Sequence, residues 1–289
     1  MVAEGYALNE DYVDEDAKPR TDWWAELRGV FWLVAAVLGF HSLVAKPFYI
    51  PSESMMPGLL VGDRLVVTKY PYGYSFVTPT FHLLPFMPGR LVGRLPVRGD
   101  VVIVTPPGTD TDYIKRVIGV PGDRIAVRGG VVYLNGVAIP REAKGMRDIP
   151  VDANTKCESA QYRGGMVRHG DGRLFCRLPI YRETLPNGRS YETIDRGVGA
   201  SPGDNYPETR VPRDHVFLMG DNRDNSADSR YPLANQGLGG PVPWENIGGR
   251  AEFITFSLDG SATWNPTTWG NSFRPGRAGM SLHPQEGVK

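Results

Sequence analysis

The feature that most constrains this chain is a run of 17 residues without a full charge: Gly29-Val30-Phe31-Trp32-Leu33-Val34-Ala35-Ala36-Val37-Leu38-Gly39-Phe40-His41-Ser42-Leu43-Val44-Ala45. It is the one long apolar run in the 289 residues. A bilayer-spanning helix needs about 20 apolar residues, so the run is slightly short and two readings stand. It is a membrane anchor, with Trp23, Trp24 and Tyr49 as interfacial aromatics, or a buried helix of a soluble fold. A cleaved signal peptide does not fit, because the preceding segment is long and acidic rather than short and basic. Residues 1–22 carry Glu4, Glu10, Asp11, Asp14, Glu15 and Asp16 and read as a disordered tail. Lys18, Arg20 and Arg28 precede the run, against Lys46 and Arg64 after it, which places the N-terminus in the cytoplasm by a small margin.

Beyond the run the pattern turns to strands and tight turns. Gly and Pro, 35 and 25 residues, suit many short strands better than a helical bundle. Strands are expected at Asp63–Tyr70, at Asp100–Val104 before Pro106-Pro107-Gly108, and at Tyr113–Val120 before Pro121-Gly122-Asp123. Two further strands flank Gly129-Gly130, and Asn135-Gly136 makes the next turn. Residues 71–98, rich in Pro, Gly and aromatics, read as a long loop. The segment 141–210 is polar, holds a hairpin around Pro186-Asn187-Gly188, and reads as a smaller β subdomain inserted in the core. The last core strand is Ala251–Ser257. The expected layout is therefore a tail at 1–28, a helix at 29–45, a mostly β core at 46–140 and 211–258 around the insert, and a C-terminal tail at 259–289. Trp264, Trp269 and Phe273 in that tail suit either a membrane surface or an ordinary loop.

Basic and acidic residues balance at 32 each, and no Lys/Arg cluster is long enough to track a phosphate backbone, so no nucleic-acid partner is expected. Cys157 and Cys176 lack metal-type spacing. They form a disulfide outside the cytoplasm or stay free thiols inside it.

Directly after the apolar run lies Phe48-Tyr49-Ile50-Pro51-Ser52-Glu53-Ser54-Met55-Met56-Pro57. The prolines bias Ile50 and Met56 towards extended backbone, so both serines are presented on a non-helical segment. Serine hydrolysis needs a base. Of the five histidines only His215 is a plausible partner, and no Gly-x-Ser-x-Gly elbow exists. Lysine is the other option. With an ordinary pKa only about one amine in a few thousand is neutral at pH 7, a deficit of roughly 4.6 kcal/mol. Burial without a carboxylate partner removes most of that deficit. Of seven lysines, Lys69 and Lys115 lie in strands. Lys115 shares a face with Tyr113 and Val117, Lys69 with Val67 and Leu65, and alternation alone does not choose between them. The acidic run Gly220-Asp221-Asn222-Arg223-Asp224-Asn225-Ser226-Ala227-Asp228-Ser229-Arg230 lacks the ligand spacing and terminal Glu of a calcium loop.

The serine stretch, Tyr113-Ile114-Lys115-Arg116 and the Gly220–Arg230 run, in that order, resemble bacterial type I signal peptidases, membrane-bound Ser/Lys proteases. Weaker matches lie at Arg98–Val102, Val120–Asp123 and Gly249–Ala251, so the resemblance covers roughly residues 30 to 258. It implies an antiparallel β-sheet catalytic core behind one transmembrane helix, in the bacterial inner membrane with the catalytic part on the periplasmic side. It implies Ser54 as nucleophile and Lys115, not Lys69, as base. Ser52 and the Ser54 amide become the oxyanion hole, Ser226 the lysine-orienting hydroxyl, and Asp228 and Arg230 a bracing pair. Phe48, Ile50, Met55, Leu59, Tyr113 and Ile114 become the lining of shallow pockets for small residues one and three positions before the cut. The implied partners are exported preproteins and membrane lipid, with no cofactor and no metal; the oligomeric state stays open. Given that topology, Cys157 and Cys176 are expected to pair. Gly58, where a hydroxyl residue is usual, and Tyr231–Gly237, where a short link is usual, depart from the pattern. An inactive membrane-tethered β-rich binding module is the alternative from another class; a self-cleaving cytoplasmic Ser/Lys repressor would need an N-terminal DNA-binding domain that the acid-rich residues 1–28 do not supply.

Overall fold

The computed structural model describes residues 22–79, 87–158, 162 and 164–286. Residues 1–21 of the expected tail and 80–86 of the expected loop lie outside the described residues. Helix α1 covers Trp23–Leu43. Asp22 caps it, its Oδ1 accepting from the amides of Trp24 (3.1 Å) and Ala25 (3.3 Å). The helix therefore starts before the uncharged run, and residues 23–28 are helical rather than tail. No residue of α1 is buried, and at 1.5 Å per residue its length of about 31 Å matches a bilayer's hydrocarbon core. By length and composition it is able to cross a membrane.

The chain divides into two compact units, Met1–Leu38 and Gly39–Lys289. The second is built from strands β1 (Ala45–Tyr49), β2 (Asp63–Thr68), β3 (Val101–Val104), β4 (Tyr113–Gly119), β5 (Arg124–Arg128), β6 (Val131–Leu134), β7 (Val137–Ala138), β8 (Arg141–Pro150), β9 (Met166–Arg168), β10 (Leu174–Thr184), β11 (Arg189–Ile194), β12 (Tyr206–Arg210), β13 (His215–Met219), β14 (Val242–Pro243), β15 (Ile247–Ser257) and β16 (Gln285–Glu286). The fold is mostly β, and every named strand pair is antiparallel.

The largest sheet has seven strands in the order β1-β2-β15-β3-β4-β13-β14. Alternation in β2 drives Leu65 and Val67 inward while Arg64, Val66 and Thr68 are half-buried. Leu65 and Val67 meet Ile50, Ile103, Ile114 and Ile254 in one core cluster. Strand β3 is an apolar run, while β4 carries Lys115 and Arg116 among apolar residues; both lack alternation and are buried almost throughout. A four-stranded sheet, β12-β5-β6-β7, adds Ile125, Val127 and Leu134 to a second cluster around Phe217.

Residues 141–194 build a separate sheet from β8, β9, β10 and β11. Strand β12, also within the segment expected as insert, pairs instead with β5. Cys157 and Cys176 are joined by a disulfide, packed with Met56, Tyr162, Ile149 and Leu178. Residues after 258 run back along this unit. Arg274 pairs with Asp152, Arg277 with Asp63, and β16 adds to β11.

Ile254 lies opposite Leu65 on the central strand and is fully buried. Ile254→Ala is expected to lower stability by about 2–5 kcal/mol, because a filled core position collapses only partly. Denaturant melts of wild type and variant, read by tryptophan fluorescence, check this.

Candidate active site

Three loops and strands converge on one point. The serine stretch forms the loop between β1 and β2. Its neck is closed by Ile50 N donating to Asp63 O and Gly62 N to Ile50 O, both 3.0 Å. Met56 N bonds Glu53 O and Leu59 N bonds Met55 O, each at 3.0 Å, so the chain turns sharply just after Ser54. The loop after β13 is joined to it by Asn222 N donating to Ser54 O at 3.0 Å. Lys115 projects from β4, opposite Val102 of β3.

Lys115 Nζ donates to Ser54 Oγ at 2.9 Å and to the Ile114 carbonyl at 2.9 Å. Both side chains are buried, at 4% and 6% exposure. The hydroxyls of Ser52 and Ser54 lie 3.4 Å apart. Among the described residues the Ser54 amide makes no hydrogen bond.

Burial pushes the Lys115 amine down to about 8, with Arg230 adding to the effect and Asp228 and Asp221 opposing it. These carboxylates are occupied elsewhere. Asp228 accepts from Arg230 and from the Gly220 amide, and Asp221 is held by Arg116 at 2.6 and 2.8 Å. With a pKa of about 8, roughly one amine in eleven is neutral at pH 7, against one in a few thousand for an ordinary lysine. Lys69 is also buried and lowered to about 8, by burial and by Lys46. Its ammonium lies 5.8 Å from the centroid of the Phe48 ring, and among the described residues no hydroxyl bonds it. Geometry separates two lysines that burial does not.

Asp228 and Arg230 form a fully buried pair, and Arg230 also donates to the carbonyls of Arg223 and Gly203. Ser226 is 5% exposed, and its Oγ makes no hydrogen bond among the described residues. Gly220 lets this loop close in: a Cβ there would lie 2.2 Å from Ser226 Oγ and 2.5 Å from Ser54 O.

An apolar cleft of about 360 Å³ opens at the Ser54–Lys115 contact. Phe48, Ile50, Tyr113, Ile114 and Ser52 line it. Met55 and Leu59, expected in the same pockets, do not. The turn after Ser54 rolls them into the core, where both are 1% exposed, and they border a separate hollow with Tyr191 and Leu282. Gln236, from the unusual Tyr231–Gly237 link, does reach the cleft.

Sequence reasoning passed over several residues here. Arg223 of the long motif is fully buried and pairs with Glu183 of β10, whose carboxylate also accepts from Tyr191. Arg223 N bonds Ile194 O and Ile194 N bonds Asp221 O, each at 2.9 Å, which fastens the loop to β11. The charged character of the motif signalled buried pairing, but Glu183 sits in an ordinary polar hairpin and carried no signal.

A hydroxyl facing a desolvated amine at the head of an apolar cleft is equipment for amine-assisted acyl transfer. The sequence profile described as "Signal peptidase, peptidase S26" matches residues 23–256. The signal peptidase I of Rickettsia typhi (strain ATCC VR-144 / Wilmington) is 35% identical over 246 residues, covering 83% of this chain and 81% of that protein. That of Rickettsia prowazekii (strain Madrid E) is 36% identical over 239 residues, covering 80% and 79%. A solved signal peptidase I from Enterococcus faecalis V583 aligns at 20% identity over 54% of this chain and 97% of its own, with a TM-score of 0.28, too low to carry an argument. The chain is thus a serine endopeptidase. It belongs to the signal peptidase family, peptidase S26, and serves the removal of signal peptides.

Gly220→Ala is expected to lose about 100-fold in kcat, since a shift of an ångström at the reacting groups has that effect. The added methyl would lie within 2.5 Å of Ser226 Oγ and Cβ and of Ser54 O. Steady-state peptide hydrolysis with circular dichroism as the fold control checks it.

Proposed function

We propose that this chain is a membrane-anchored endopeptidase in which Ser54 is the nucleophile and Lys115 the general base. The 2.9 Å contact between Lys115 Nζ and Ser54 Oγ, buried and without a carboxylate on the amine, carries the reading. The neutral amine takes the Ser54 proton as Oγ attacks the scissile carbonyl. The oxyanion is met by the Ser54 amide and the Ser52 hydroxyl, donors placed where charge develops. Lys115 returns the proton to the leaving amine, then activates the water that hydrolyses the acyl-enzyme. Ser226, whose buried Oγ makes no hydrogen bond among the described residues, is the hydroxyl available to orient Lys115, and Asp228 with Arg230 holds the loop beneath it.

The substrate is an exported preprotein lying extended in the cleft, as in recognition by strand addition. Phe48, Ile50, Tyr113 and Ile114 narrow the cleft to small side chains at the positions one and three before the cut. Helix α1 is the single membrane span, in the bacterial inner membrane with the catalytic unit on the periplasmic side. Its length, its apolar exposed surface and the disulfide in the second unit support this placement. The catalytic core comprises residues 46–140 and 211–258, with 141–210 as the insert.

Full-length protein in detergent with a model preprotein tests the assignment. Ser54→Ala, Lys115→Ala and Lys115→Arg should each abolish cleavage, the last because guanidinium does not deprotonate, while Lys69→Ala keeps it. Near-normal turnover in Lys115→Ala would sink the base assignment. The working base is the neutral amine, so kcat/KM should climb with pH and level off above the Lys115 pKa of about 8. A pH–rate profile without that limb counts against Lys115.

A further inference from the structure

Glu53 stands between the two serines, and its side chain leads away from the cleft into a polar knot. Tyr162 Oη donates to Glu53 Oε2 at 2.8 Å, and Asn225 Nδ2 donates to the same oxygen at 3.0 Å. Asn222 Nδ2 donates to Tyr162 Oη at 2.8 Å and to the Glu53 carbonyl at 3.1 Å, while its amide holds Ser54 O. Tyr162 is 3% exposed and comes from the segment closed by the Cys157–Cys176 disulfide, and its ring shares an apolar cluster with that disulfide and Met56. Burial pushes the Glu53 carboxyl up, with Glu158 adding to it, and the bonds from Tyr162 and Asn225 oppose the shift.

We infer that Glu53 and Tyr162 are positioning residues through which the disulfide-closed insert fixes the backbone of Ser52–Ser54. The inference rests on Ser54 being the nucleophile. Neither side chain lines the cleft, so neither is placed to touch the scissile bond. What they set is the pitch of the peptide that carries the attacking hydroxyl and the Ser54 amide. A carboxylate with two donors on one oxygen, one of them on a ring packed in a core, has little freedom to swing. The insert then has a catalytic duty: it braces the serine loop through contacts outside the cleft.

Two measurements on the full-length protein in detergent micelles test this. Steady-state cleavage of a preprotein should show kcat falling about tenfold or more in both Glu53→Ala and Tyr162→Phe, with KM within about twofold, since alignment rather than binding is lost. The double variant should be no worse than the poorer single one, because the two act as one unit. Glu53→Gln, which keeps an acceptor oxygen, should recover most of the rate. Multiplicative losses in the double variant, or a change confined to KM, would overturn the inference. Amide hydrogen exchange is read without substrate: the peptide spanning Ser52 to Met56 should exchange faster in Glu53→Ala and Tyr162→Phe, with the β3 and β4 peptides unchanged. Unaltered exchange there in both variants also overturns it. If that exchange responds but the Ser54→Ala enzyme still cleaves, the brace stands and the nucleophile assignment falls.

Discussion

The site depends on keeping one amine out of water without giving it a carboxylate. A lone buried lysine is destabilising when charged, and the structure tolerates it because every strong charge nearby is already matched. Arg116 takes Asp221, Arg230 takes Asp228, and Arg223 takes Glu183. Each pair is buried, and each arginine or its aspartate also bonds backbone, so the remaining polar atoms are largely satisfied. Losing Arg116 or Arg230 would leave Asp221 or Asp228, two carboxylates that already act on Lys115, uncompensated and push the amine's pKa up. Two ion pairs that look like scaffolding, Arg116–Asp221 and Arg230–Asp228, therefore act as electrical insulation.

The same pairs shape the backbone. The loop after β13 reaches the serine loop through Asn222 and reaches β11 through Arg223 and Ile194. It is clamped from two sides before any substrate arrives. Preorganised donors are effective because they need no rearrangement as charge develops, and Gly220 is where this loop passes within contact of Ser54 O.

Much of this was legible in the chain. Strand β3 follows from its apolar run and β4 from its β-branched and aromatic residues and the turn that ends it, and the Ser54–Lys115 pairing follows from the motif resemblance, with a 2.9 Å contact between them. Alternation could not choose between Lys69 and Lys115, and both are buried; β2, expected to run to Tyr70, ends at Thr68, so Lys69 lies just past it, while Lys115 is on β4 beside Ser54. Met55 and Leu59 were misplaced because the resemblance says which residues lie near the serine, but not on which side of a tight turn each falls. The start of α1 at Trp23 depends on a cap at Asp22, outside the uncharged run used to draw its bounds. Tyr162 and Glu183 were illegible for a plainer reason: their partners are tertiary neighbours, 109 residues away for Tyr162 and Glu53 and 40 for Glu183 and Arg223, and such contacts leave no trace in a local pattern.

Strand order has a consequence for when the protein becomes a protease. Strand β15 lies between β2 and β3, yet it is the last strand of the main sheet along the chain. As the chain leaves the ribosome, β1 and β2 form one ribbon and β3, β4 and β13 another, with no shared edge. Strand β15 joins the halves into one sheet that carries both the β1–β2 loop with the hydroxyl and the strand with the amine. Long-range pairing of this kind is slow to form. The sheet that holds the hydroxyl-bearing loop and the amine-bearing strand together is thus completed by the last of its strands along the chain.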